Sequence, residues 1–116
     1  MAKYEVIDGV GVIPSGATKI DDYAFQGCEN LISVIIPDSV TAIGEGAFRN
    51  CENLTTIDLP ENITSLGNQV FYNCPSLTEI TIPDSVTYIG DNAFHSCTNL
   101  EKVVLPAGVE SEIITF

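Results

Sequence analysis

The chain repeats one short pattern every 23 residues over most of its length. Three residue types show the period most clearly, at Pro14, Pro37, Pro60, Pro83 and Pro106, at Phe25, Phe48, Phe71 and Phe94, and at Cys28, Cys51, Cys74 and Cys97. A period of this size indicates a solenoid, in which each repeat is one coil that buries its apolar face only against its neighbours. Residues 1–116 therefore form one solenoid domain, with a partial N-terminal coil, about four 23-residue repeats and an incomplete C-terminal coil.

Each repeat begins with a predicted strand that a proline ends. These segments are residues 31–37, 54–60, 77–83 and 100–106. Apolar residues occupy alternate positions, as Val34 and Ile36 do in the first segment, so one set points inward and its neighbours point outward. Proline has no N–H for a ladder and ends the strand. Stacked in register, the segments form a parallel sheet along one side of the solenoid.

Two further segments complete each predicted coil. After the proline, a turn leads to a second brief extended segment that a glycine closes. The acidic turn residues are Asp38, Glu61 and Asp84, and the closing glycines are Gly44, Gly67 and Gly90. We expect a positive φ at these glycines, which a side chain would disfavour. The third side should be a short helical or 3-10 turn, because Ala47, Phe48 and Cys51 have the spacing of one helix face.

The repeat pattern I-x-I-P-D-S-V-T-x-I-G-x-x-A-F-x-N-C-x-N-L resembles the BspA-like class of leucine-rich repeats, found in surface proteins of bacteria and some protozoa. The similarity runs from about Ile13 to Gly108, although Asp21 stands where the other repeats have glycine. The predicted fold class is an α/β solenoid, a right-handed leucine-rich-repeat-like coil with a parallel β-sheet on one face and helical or 3-10 turns on the other. The resemblance implies adhesion or protein binding at a bacterial cell surface, and it implies no catalytic residue.

The composition narrows the classes of partner. Sixteen acidic residues against four basic ones give a net charge of -12. Such a surface repels phosphate backbones and anionic lipid, so we expect no nucleic acid partner. No apolar run approaches the roughly 20 residues of a membrane span, so we expect no membrane insertion. Basic proteins, cations and neutral ligands remain compatible with this charge.

The ends of the chain suggest two locations. No apolar segment of signal-peptide type follows Met1, so the protein is either cytoplasmic or part of a longer chain that is secreted or displayed at the cell surface. The apolar residues 113–116 favour a longer chain that is secreted or displayed at the cell surface, because solenoids finish in polar capping repeats. These residues also leave the 23-residue register. We expect an open coil end near Leu100, Val103 and Leu105 that promotes self-association.

Cysteine and histidine are the candidates for chemistry. Four cysteines at one per coil extend over roughly 14 Å, whereas tetrahedral zinc needs ligands that converge on one point. Their side chains point the same way into the core, which favours free thiols over disulfides. His95 lies at an outward position with no nucleophile or acid predicted beside it. The single acidic residue in each turn provides fewer oxygens than the six to eight that a calcium site needs. The sequence therefore predicts no enzyme activity, no metal and no cofactor.

The outward face of the strands is the remaining candidate site. Its residues vary between repeats, while their inward neighbours hardly change. They are Ser33, Ile35, Thr56, Asp58, Glu79, Thr81, Lys102 and Val104. A solenoid places ligand contacts where packing leaves residues free, so we expect a non-enzymatic interaction or adhesion module that binds a protein or another macromolecule here. The alternative is a structural spacer, or a truncated or consensus-like repeat protein, with no ligand of its own.

Overall fold

Proline and glycine divide each coil into short sides, and two of these sides are strands. The computed structural model describes residues 4–106. We number coils 1 to 4 as residues 8–30, 31–53, 54–76 and 77–99, and the chain then begins a further strand. The strands are β1 (Glu5–Ile7), β2 (Val10–Val12), β3 (Lys19–Ile20), β4 (Ser33–Ile35), β5 (Ala42–Ile43), β6 (Thr56–Ile57), β7 (Ser65–Leu66), β8 (Glu79–Thr81), β9 (Tyr88–Ile89) and β10 (Lys102–Val104).

The strands stack into two parallel sheets on different sides of the solenoid. One sheet has the order β3-β5-β7-β9, and it is formed by the predicted second extended segments. The other side carries β1-β2-β4-β6, followed by the separate pair β8-β10. Parallel partners are 23 residues apart, as in the pairing of Val34 with Ile57. The one antiparallel pair in the described part of the chain is β1 with β2, which covers the N-terminal edge of its sheet.

Phenylalanine rings form a continuous column through the core, as the repeat predicts. Neighbouring rings of Phe25, Phe48, Phe71 and Phe94 stack with centroids 5.5–5.6 Å apart. Tyr4 extends the column at its N-terminal end, 5.4 Å from Phe25. All four phenylalanines are buried. Leucine and isoleucine columns pack around them, so each coil contributes one layer to a single apolar core.

The third side of each coil consists of turns, and the predicted helical or 3-10 segment is wrong. No helix occurs among residues 4–106. Two positions per coil have a left-handed backbone, with φ between 56° and 70°: Tyr23, Gly46, Gln69 and Asn92 at the first, and Gly27, Asn50, Asn73 and Ser96 at the second. A positive φ interrupts a right-handed helix. The fold is therefore an all-β solenoid rather than an α/β one.

The left-handed residues turn alternate N–H groups of this side toward the next coil. The Phe25 N–H donates to the Ala47 carbonyl at 2.7 Å, and the Phe48 N–H donates to the Val70 carbonyl at 2.9 Å. The intervening residues close short turns within their own coil, as the bond from Ala24 N–H to Asp21 O does. The backbone on the turn side is thus satisfied by the stacking of coils.

The glycines that close the second strands are required by close approach, and the predicted positive φ is wrong for them. A Cβ atom on Gly67 would lie 2.6 Å from the backbone nitrogen of Glu45 and 2.6 Å from the carbonyl carbon of Gly44. Gly44 and Gly90 approach the preceding coil in the same way. Asp21 occupies this position in coil 1, where no described coil precedes it. That location explains why the repeat departs from glycine there.

Two predictions about the C-terminal end have different outcomes. Leu100, Val103 and Leu105 are half-buried against the core, which agrees with a layer that is partly open to water. Residues 113–116 lie outside the described residues, so self-association through this end stays a prediction. In residues 4–106 no helix has the length and apolar character needed to cross a membrane.

Candidate functional site

The predicted site residues lie in two rows on the outward side of the strands. One row contains Ser33, Thr56, Glu79 and Lys102, and the other contains Ile35, Asp58, Thr81 and Val104. The two rows follow from the alternation of side chains along a strand, combined with the 23-residue register. Ser33 is half-buried and the other seven residues are exposed. The structure therefore brings all eight residues to one surface, which we call the outward strand face.

The N-terminal part of this face carries an apolar patch formed by Ile7, Val12 and Ile35. Ile35 is 71% exposed, and Val12 lies beside it in the ladder. Ile7 is 53% exposed on β1, which precedes the repeats, and it lies opposite Val10 and diagonal to Val12. The repeat pattern did not include Ile7 or Val12. Asp8 and Gly9, both with positive φ, form the tight turn between β1 and β2, and an Asp-Gly pair between apolar residues is a hairpin signal that could have revealed both.

The C-terminal part of the face contains a cleft between coils 3 and 4. At the start of the strands, a backbone hydrogen bond joins one coil to the coil before it. The Thr55 N–H donates to Ile32 O at 2.9 Å, and the Glu101 N–H donates to Thr78 O at 2.8 Å. The corresponding bond from Thr78 to Thr55 is absent within residues 4–106, and β6 does not pair with β8. The ladder resumes on the second sheet, where the Thr87 N–H donates to Thr64 O at 2.9 Å. The coils thus separate on one side only.

This cleft has a volume of about 700 Å³ and an acidic lining. Asp58, Glu61, Glu79 and Asp84 line it, and the interior residues Ile57, Leu59, Ile80 and Ile82 form its apolar part. No lysine or arginine among the described residues lines it. Like charges repel one another across a gap, which disfavours closure of the two coils. The volume lies within the range of about 300–1,000 Å³ that is typical of ligand pockets.

Ser85 lacks a hydrogen bond that the equivalent residues of the preceding coils make. At the same repeat position, the Ser39 hydroxyl donates to Ala17 O at 2.7 Å, and the Asn62 Nδ2 donates to Asp38 O at 3.1 Å. Each of these bonds joins a turn to the preceding coil. Ser85 is a lining residue of the cleft, and its Oγ is buried and has no hydrogen-bond partner among the described residues. A buried hydroxyl without a partner is costly, so the cleft holds unused hydrogen-bonding capacity.

The cysteines are free thiols stacked in the core, as predicted, with Cys28 at the half-buried end of the column. Each of the other three donates to the carbonyl of a phenylalanine in the preceding coil. These bonds run from Cys51 Sγ to Phe25 O at 3.1 Å, from Cys74 Sγ to Phe48 O at 3.1 Å, and from Cys97 Sγ to Phe71 O at 3.0 Å. Burial raises the pKa of the Cys51 thiol to about 12 and raises the pKa of Cys74 and Cys97. The thiols therefore stay protonated and act as hydrogen-bond donors.

These raised thiol pKa values predict a loss of stability at high pH. The unfolded thiols lose their protons near pH 9, while the Cys51 thiol in the folded protein keeps its proton up to a pKa of about 12. The folded state then binds more protons, so the free energy of unfolding should fall as pH rises from 9 toward 12. Urea unfolding at pH 8 and pH 10.5 measures this change. A Cys74→Ser variant, which keeps a donor but removes one titrating thiol, should lose less stability over that interval than the parent.

His95 is part of a stack of side chains on the turn side. Its ring lies 5.2 Å from the ring of Tyr72, and the Arg49 guanidinium lies 5.2 Å from the same ring. His95 Nδ1 is 2.9 Å from Ser96 Oγ. These contacts give His95 a packing role. Within residues 4–106, no three His, Cys, Asp or Glu side chains are grouped so that they could hold a metal ion.

Comparisons with known proteins agree with this architecture. The model of the family described as BspA type leucine-rich repeat region matches residues 12–113 in six copies. A leucine-rich repeat protein from Bacteroides ovatus is 42% identical with a TM-score of 0.79, and the match covers 89% of this chain and 28% of that one. A comparison with curated proteins gave no significant match.

Two further solved structures show the same fold. The leucine-rich repeat protein of T. pallidum is 29% identical with a TM-score of 0.74, and the match covers 88% of this chain and 61% of that one. A leucine-rich cell surface protein from Faecalibacterium prausnitzii is 35% identical with a TM-score of 0.62, and the match covers 94% of this chain and 35% of that one. The chain thus spans less than two thirds of these relatives.

Proposed function

The chain belongs to the BspA-type leucine-rich repeat family, and from this membership we propose that it is a non-enzymatic interaction module of a bacterial surface protein. Its partner is a protein or another macromolecule that binds the outward strand face. Adhesion is the role that such binding serves at a cell surface. The similar protein from Faecalibacterium prausnitzii is described as a cell surface protein, which supports this location.

The apolar patch is the observation that carries the proposal. Ile35 is 71% exposed although it lies in a paired strand, Val12 lies beside it in the ladder, and Ile7 on β1 lies diagonal to Val12. A large apolar side chain that is kept in water on a rigid sheet loses the stabilisation that burial would give. Contiguous patches of this kind, bordered by polar residues, are typical of interaction sites. Here the border is formed by the polar C-terminal part of the same face.

Substitution within the apolar patch tests the proposal. We expect Ile35→Asp to weaken binding of a protein partner at least about tenfold, because it places a charge where an apolar surface is buried on binding. An array of extracellular proteins probed with the labelled chain identifies partners, and biolayer interferometry measures their affinities. Tyr88→Asp is the matched control, since it adds the same charge at a residue that is 55% exposed on the second sheet. Equal affinities of the two variants would contradict binding through this face, and the absence of any partner would favour the spacer.

A further inference from the structure

The cleft between coils 3 and 4 combines three features that no other interface between the described coils shows together. The strand ladder is interrupted between β6 and β8. Four carboxylates line the gap. The buried Ser85 Oγ has no partner among the described residues. An opening with unpaired strand edges and a concentration of negative charge has the chemistry to accept a hydrogen-bond donor that carries positive charge.

The charge within the cleft is balanced poorly by the protein itself. Glu79 lies opposite Lys102 in the β8–β10 ladder, but Lys102 does not line the cleft. Asp58, Glu61 and Asp84 take part in no ion pair within residues 4–106. A bound cation would therefore reduce the repulsion between these carboxylates. The net charge of -12 adds a long-range attraction for basic partners.

The arrangement of the carboxylates favours an organic cation over a metal ion. No three of these acidic side chains are grouped to hold a metal, whereas calcium requires six to eight oxygens around one point. An alkyl chain that ends in an ammonium or guanidinium group suits the site better. Its methylenes can pack on Ile57 and Ile80, and its charged end can approach the carboxylates that line the cleft.

We propose that this cleft receives a lysine or arginine side chain from an extended segment of the partner protein. The proposal rests on the proposed function of the outward strand face. The position of the apolar patch relative to the cleft sets the direction in which this segment runs across the strands. Paired strands are about 4.8 Å apart, so Ile35 on β4 is at least about 7 Å from the middle of the cleft beyond β6. Residues two apart in an extended chain are separated by about 6.6–6.8 Å, and the long side chain of lysine or arginine spans the remaining distance. The segment thus crosses the strands with an apolar residue on Ile35 and a basic residue two positions further along.

Designed peptides test this spacing directly. The probe is a blocked, fluorescein-labelled heptapeptide of threonines with valine at its third position and lysine at its fifth. We expect saturable binding to the full chain in fluorescence anisotropy. Binding should weaken at least about tenfold when the lysine is acetylated or replaced by glutamate, because the charge-assisted contacts are lost. Moving the lysine to the fourth position should weaken it similarly, since adjacent residues in an extended segment point to opposite sides.

Variants of the chain locate the binding site. Asp58→Asn and Glu79→Gln should each weaken peptide binding about fivefold, because each removes one charge from the cleft. Glu52→Gln is the matched control: it makes the same change of net charge at an exposed position outside the cleft. Both cleft positions are exposed, so thermal melts of the variants should overlay that of the parent. Equal effects of the cleft and control substitutions would overturn the proposal.

Two other outcomes would also overturn it. If free spermidine binds more tightly than the peptide, the cleft is a site for small amines and not for a partner segment. If the lysine and acetyl-lysine peptides bind equally, the cleft does not recognise the charge. These failures differ from a failure of the proposed function, which Ile35→Asp measures with a protein partner. If Ile35→Asp abolishes binding of a protein partner and Asp58→Asn does not change it, the outward strand face binds the partner, but the cleft does not receive a basic residue.

Discussion

Replacing Phe71 with alanine should lower the free energy of unfolding by about 3–5 kcal/mol, through loss of burial and formation of a cavity. The Phe71 ring is fully buried and stacks between Phe48 and Phe94, at 5.5 Å and 5.6 Å. An internal coil has a neighbour on each side, so the cavity would interrupt the column in both directions. A loss of this size is a large part of the total stability of a domain with 116 residues.

Urea unfolding followed by circular dichroism measures this effect. Tyr88→Ala is the control, because it also truncates an aromatic ring but at a position that is 55% exposed. Surface truncations of this kind usually change stability by about 0.5 kcal/mol or less. A Phe71→Ala midpoint no lower than that of Tyr88→Ala would contradict the central role of the phenylalanine column. Retention of the unfolding slope in urea would show that the comparison is between similar folded states.

Gly67→Ala should have the second-largest effect on stability, although it adds a single methyl group. The new Cβ would lie 2.6 Å from the backbone of coil 2, at Glu45 N and Gly44 C. Backbone atoms cannot move aside as the end of a flexible side chain can. Overpacking usually costs about 1–3 kcal/mol, and we expect this substitution at the upper end of that range because both surfaces in contact are main chain.

Gly27→Asn is a control that separates two reasons for a glycine, which are close approach of a neighbouring coil and a positive φ. Gly27 has a φ of +70, and a Cβ atom there would meet nothing within 4 Å. Asn50 and Asn73 occupy the same repeat position with φ values of 60 and 56. We therefore expect Gly27→Asn to change the melting temperature little, while Gly67→Ala lowers it by several degrees. If the two variants melt together, the glycines that close the second strands are required for some other reason.

The two proposals about binding differ in how they depend on salt. Contact with the apolar patch at Ile7, Val12 and Ile35 is dominated by burial, which salt changes little. Contact with the acidic cleft is electrostatic, and added salt screens it where it remains exposed to solvent. A partner that uses both surfaces would keep part of its affinity at high salt. The patch lies on β1, β2 and β4, the cleft begins at β6, and both are on the outward strand face, so a single extended segment can reach both.

The sequence by itself determined the solenoid, its register and its core. Phe48, Phe71 and their equivalents recur at one spacing with alternating apolar strand residues, and a repeat of this kind can bury its apolar face only by stacking on itself. The outward positions followed from the same alternation, because adjacent residues of a strand point to opposite faces. The free, buried cysteines were also predictable, since one cysteine per coil at one position places every thiol in the same orientation.

The tertiary structure alone decided the features that depend on how two coils approach each other. The spacing of Ala47, Phe48 and Cys51 suits a helix face, but Gly46 and Asn50 take a left-handed backbone that directs N–H groups to the next coil. Gly67 is needed because the backbone of coil 2 lies against it. The cleft beside Asp58 exists because coils 3 and 4 separate at their strands while Phe71 and Phe94 remain stacked. A repeat pattern describes one coil at a time, whereas these distances are set by the balance of packing and repulsion between coils.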